Sequence, residues 1–89
     1  MEKEITVNGK KFKVRELLNK EWKSIDYPTE FDNPEERKKK KEESDKREFM
    51  LCTGMSEEEY SQLTMKEAMS IKLVMLSLNT PDKDFQAAN

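Results

Sequence analysis

The stretch from Thr64 to Asn79, TMKEAMSIKLVMLSLN, constrains the fold more than any other part of the chain. Nine of its sixteen residues are apolar, in a protein that is only 34% hydrophobic overall. A Thr at the start with Glu three residues later is a capping box, and Pro81 follows Thr80 to stop the run, so a helix is predicted over about 65–79. At about 100° per residue, Ala68, Ile71, Val74, Met75 and Leu78 fall in one arc, interrupted only by Glu67. Met65, Met69, Leu73 and Leu76 fall in a second arc. Lys72 and Asn79 separate the two along one edge, and Lys66, Ser70 and Ser77 along the other. A helix lying on its own core shows a single stripe roughly 100° wide. This one has two.

Two arrangements accommodate the second stripe. In the first, a hairpin packs on one arc and the shorter helices on the other. In the second, one arc serves the core and the other meets a partner or a second copy. The rest of the N-terminal half offers Ile5, Val7, Phe12, Val14, Leu17, Leu18, Trp22 and Ile25 as large apolar partners, and these must also cover one another. Uncovered apolar patches on small proteins mark interaction sites. Five of the six methionines lie at or after Met50, and flexible thioethers suit adaptable surfaces. The candidate partner-binding residues are therefore Met65, Met69, Leu73 and Leu76, with Met55 and Tyr60 beside them.

Eighty-nine residues make at most one domain, placed at about 1–80, with 81–89 as a flexible tail. Charged residues are 40% of the chain and the mean hydropathy is -1.05, so a folded domain with a solvated arm is expected. The net charge of -2 makes no electrostatic case for nucleic acid or an anionic membrane. No segment is apolar enough to span a bilayer, and MEKEITV does not read as a secretory signal. Cys52 stands alone, which fits a reducing compartment, and histidine is absent. The usual zinc sites and catalytic triads cannot be assembled from such a chain, so the expectation is no enzyme, no cofactor and no metal.

Asn8-Gly9 marks a two-residue hairpin turn within about 4–15, pairing Val7 with Lys10 and Ile5 with Phe12. Ile5, Val7, Phe12 and Val14 then share one face, in agreement with the hydrophobic alternation. Leu18, Trp22 and Ile25 predict a short helix over about 16–26, with Trp22 assigned to the core ahead of a role as an interface hot spot. Phe31 is the expected anchor of the linker that follows. Asn33, Pro34 and Gly54 delimit a helix over 34–53 that is polar until Phe49, Met50, Leu51 and Cys52. Its charges predict pairs at Glu35/Lys39, Glu36/Lys40, Glu42/Lys46 and Glu43/Arg47. Cys52 reads as a small buried hydrophobe. A second capping box at SEEE predicts a short helix over about 57–62. The fold class is α+β: an N-terminal β-hairpin followed by a bundle of about four helices.

Taken together, ITVNGKKFKVRELLNKEW, a charged middle and LCTGMSEEEYSQLTMKEAMSIKLVMLSLN resemble the tail assembly chaperones of long-tailed bacteriophages and prophages. The resemblance covers about residues 4–79. It implies a non-enzymatic protein that binds and solubilises the tape measure protein and helps recruit tail tube subunits. It also implies action in the host bacterial cytoplasm and absence from the mature virion. The residues leave two other classes open: a structural tail completion or connector protein, and a small nucleic-acid-binding regulator using Arg37 to Lys41. The spare stripe also permits a weak homo-oligomer.

Overall fold

The computed structural model describes residues 1–80, and the predicted tail at 81–89 lies outside the described residues. Among the described residues the fold is α+β, with a two-stranded antiparallel hairpin followed by four helices. Strands β1 (Glu2–Val7) and β2 (Lys10–Arg15) pair Val7 with Lys10 and Ile5 with Phe12, the register that the turn demands. Asn8 at φ 53° and Gly9 at φ 79° both take the positive angles of a tight two-residue turn. One hairpin face then meets the helices: Val14 and Val7 are buried, and Ile5 and Phe12 pack on the core half-buried.

Helix α2 (Pro34–Thr53) and helix α4 (Met65–Asn79) have the predicted limits. Each begins on a side-chain cap. Asn33 Oδ1 accepts from the Glu36 N–H at 2.8 Å, and Thr64 Oγ1 accepts from the Glu67 N–H at 3.1 Å. Gly54, at φ 72°, ends α2 in the left-handed conformation and donates its N–H to Met50. Helix α3 (Glu57–Ser61) starts on the reciprocal pair of Ser56 and Glu59. The hairpin lies across α2 and α4. The core at their junction is Val14, Phe49, Cys52, Ile71 and Met75. Cys52 is buried there as a small hydrophobe, and burial pushes its thiol above the usual range.

Helix α1 departs from expectation. It covers only Asn19–Trp22, not 16–26. The backbone is still extended at Leu18, at ψ 153°, so the helix starts only after it, and side chains hold the segment in that course. Asn79 Oδ1 takes the Leu17 N–H at 2.8 Å, and Glu21 Oε1 takes the Leu18 N–H at 2.9 Å. Beyond Trp22 the backbone turns through the tighter bonds Ser24 to Glu21 and Ile25 to Trp22. The predicted Leu18–Trp22–Ile25 face is therefore broken. Ile25 is buried, whereas Leu18 is 52% and Trp22 47% exposed, so Trp22 is not a core residue.

Phe31 is 90% exposed and does not anchor the linker. Polar groups hold that segment instead. Asp32 accepts from the Thr29 N–H at 2.8 Å and from Lys40 Nζ at 2.9 Å, and the Tyr27 hydroxyl donates to Glu48. None of the four predicted pairs closes on α2. Lys40 reaches Asp32, Lys41 reaches Asp45 at 3.4 Å, and Lys46 reaches Glu57. Contacts outside the helix redirect Lys40 and Lys46, because each exposed helical pair is worth only about 0.2–0.5 kcal/mol.

Candidate functional site

Helix α4 is fixed at both ends. At its start Glu67 Oε1 returns to the Thr64 N–H at 2.9 Å, completing the capping box. The Glu67 side chain is almost fully buried, and Lys10 Nζ lies 3.6 Å from its Oε2, which has no hydrogen-bond partner. The Thr64 backbone N–H, aided by Thr64 Oγ1 and Lys10, holds this carboxyl below its usual range against the opposing effect of burial. At the other end Asn79 joins three elements. It accepts from Leu17, donates to the Met75 carbonyl at 2.8 Å, and points its Nδ2 at Cys52 Sγ, 3.9 Å away. Rotation of α4 about its own axis is thereby set.

That rotation sends one stripe inward. Ile71 and Met75 are buried, and Ala68, Val74 and Leu78 pack against them under the hairpin. The other stripe faces solvent: Met65 is 79%, Met69 59%, Leu73 69% and Leu76 66% exposed. These four side chains recur every three or four residues over a rise of about 17 Å, and so form a straight apolar ridge.

Met55 and Tyr60 are not part of the ridge. Gly54 turns the chain back over α2, so Met55 lands half-buried against the core. The Tyr60 ring packs edge-on against Phe49, with centroids 5.0 Å apart at 76°. Both side chains help close the core beneath α3. The six candidate residues thus divide into four on the ridge and two in the core.

A second surface feature escaped the sequence pattern. An open groove of ≈ 880 Å³ is lined by Leu17, Trp22, Tyr27, Glu48 and Leu78, among others. Trp22 reaches it from the end of the single-turn helix α1. In the same turn Glu21 is gripped by Arg15 through two 2.7 Å hydrogen bonds that, with the Leu18 N–H, bring its carboxyl down to about 2. No local signal announces it.

Among the described residues no three His, Cys, Asp or Glu side chains cluster as a metal site, and no helix is long and apolar enough to cross a membrane. The ridge itself carries no titratable group. What it offers is adaptable, non-directional apolar contact along a rigid rod. No protein-family model, curated protein or solved structure matches the chain.

Proposed function

We propose that this protein is a non-enzymatic tail assembly chaperone of a long-tailed bacteriophage or prophage. In this reading it binds the tape measure protein, keeps it soluble and helps bring tail tube subunits to it. It works in the host bacterial cytoplasm and is absent from the finished particle. The observation that carries the reading is the ridge. Four large apolar side chains of α4 stay exposed although Ile71 and Met75 already complete the core on the opposite face. A second molecule that covers the ridge removes apolar surface from water at about 25 cal/mol per Å². The resemblance of residues 4–79 to the chaperone family supports the tape measure protein as that molecule.

The lysine run gives little support to a nucleic-acid partner. Lys40 is held by Asp32 and Asp26, and Lys41 by Asp45, within a helix that also carries five acidic residues before Phe49 besides Asp45. The test is co-expression of the tape measure protein with the double variant Met69→Asp/Leu76→Asp. Both positions are exposed, so the variant is expected to keep its circular dichroism and melting temperature while the tape measure protein moves to the insoluble fraction. Unchanged soluble yield would refute the proposal. So would recovery of the protein from purified virions, which is the outcome expected of a connector.

A further inference from the structure

The rims of the ridge define the partner more narrowly than its apolar centre does. On the helical wheel Lys72 lies about 20° beyond Met65 on one side, and Lys66 about 20° beyond Leu73 on the other. Both lysines are exposed, and among the described residues neither forms an ion pair. The only acidic residue of α4, Glu67, is buried on the far face. Asp45 and Glu48 line the groove beside Lys72; Asp45 is paired with Lys41, whereas Glu48 accepts only from the neutral Tyr27 hydroxyl and keeps its charge, so the Lys66 edge is the more strongly positive of the two. The exposed face of α4 is thus an apolar rod with a positive charge along each edge.

We infer that the ridge takes an amphipathic α-helix whose apolar stripe is bordered by acidic side chains. The inference rests on reading the ridge as a binding surface and adds the chemistry of what binds. A rod with helical side-chain spacing is covered along its length by another helix packed ridge into groove. Two of its four contact residues are methionines, which adapt to partner helices of different sequence. Carboxylates on the partner's rims answer Lys66 and Lys72 and set its register, as flanking charges do in paired helices. A second copy of this chain answers them poorly. Ridge-to-ridge pairing of two α4 helices would place four lysines along the seam with no free acid on either helix.

Two labelled synthetic helical peptides of about 18 residues, with identical leucine stripes and either Glu or Lys on both rims, provide the test with the full chain. The Glu-rimmed peptide is expected to bind about tenfold more tightly at low salt, with the gap closing as salt rises. Lys66→Glu/Lys72→Glu should invert the preference and leave the melting temperature unchanged. Equal binding of the two peptides, or a preference that survives the charge reversal, would overturn the inference and leave the ridge as a docking surface. If neither peptide binds while Met69→Asp/Leu76→Asp still abolishes solubilisation, the inference fails and the proposed function stands. If the preference is found but co-expression is unaffected, the inference stands and that function fails. A dimer in sedimentation analysis that Leu76→Asp dissolves would show a second copy on the ridge and would also overturn it.

Discussion

The two long helices solve opposite problems. α2 has twenty residues and too little apolar surface to dock along its length. It enters the core through its end, at Phe49 and Cys52, and its first half is steadied by polar contacts from the linker. α4 has fifteen residues and more apolar surface than the domain hides. Both are capped, and both pack on the hairpin. The difference shows that the fold requires one face of α4 and the last turns of α2, and little else from either. The exposed stripe of α4 is not explained by the packing of this domain. The solvated face of α2 is, because a helix laced with charge needs no cover.

The contrast is broken most easily in the core. Phe49→Ala is expected to cost about 3–5 kcal/mol and Ile71→Ala about 2–5 kcal/mol, because both side chains are fully buried and their loss leaves cavities. Leu73→Ala, on the same helix as Ile71, should fall within about 0.5 kcal/mol of the unaltered protein. Urea denaturation of the three variants measures all of this. If Leu73→Ala proved as costly as Ile71→Ala, both faces of α4 would be supporting the fold and the ridge would lose its meaning.

Much of this arrangement was readable before any coordinate. Asn8-Gly9 demanded positive φ angles, and a two-residue loop allows a single register, so the hairpin followed from its turn. Asn33, Gly54 and Thr64 delimited the long helices because caps act locally. The wheel separated the two stripes of α4 but could not say which turns inward. That choice is made by contacts remote in sequence: Asn79 with Leu17, and Glu67 with Lys10. α1 is shorter than its pattern predicts for the same reason: Asn79 takes the Leu17 N–H, and the backbone is still extended at Leu18. Trp22 and Phe31 are anchors by hydrophobicity alone, yet polar groups fix their segments, leaving Trp22 about half exposed and Phe31 almost fully so. Ser44 is buried within the charged half of α2, with its hydroxyl returned to the Lys41 carbonyl at 3.0 Å; nothing in the local pattern marks it.

The caps sharpen the comparison at a smaller scale. Replacing Asn33 or Thr64 with Ala removes equivalent bonds, each worth about 1 kcal/mol within a range of about 0.5–2. Thr64→Ala should fall in the upper half of that range, because the Thr64 hydroxyl also helps hold the buried Glu67 carboxylate beneath the hairpin. Asn33→Ala should fall in the lower half. The first turns of α2 are exposed and can fray without disturbing Phe49. Equal losses in thermal unfolding would mean that the solvated half of α2 is coupled to the core as tightly as α4.

The smallest expected difference between the two helices appears in acid. Each has, at its N-terminal end, a carboxylate held below its usual range. Asp32 steadies α2 and is lowered first by the Thr29 backbone N–H and then by Lys40. Glu67 steadies α4 and is lowered first by the Thr64 backbone N–H. A depressed folded pKa contributes stability in full above the ordinary value, 3.8 for Asp32 and 4.5 for Glu67, and loses it as pH falls through the folded value. Loss of Asp32 should loosen only the linker and the first half of α2. Loss of Glu67 should weaken the junction of α4 with the hairpin, where its carboxylate is buried beside Lys10. Hydrogen exchange followed from neutral pH to below pH 4 is therefore expected to show protection falling over residues 34–44 without a change at Phe49. Protection of α4 should fall together with that of the hairpin. In Glu67→Gln the α4 contribution should no longer change with pH, while the α2 response remains. If one acid transition covered both helices at every amide, the linker clasp and the core would form a single cooperative unit, and the distinction between a helix held by its end and a helix held by its face would not survive.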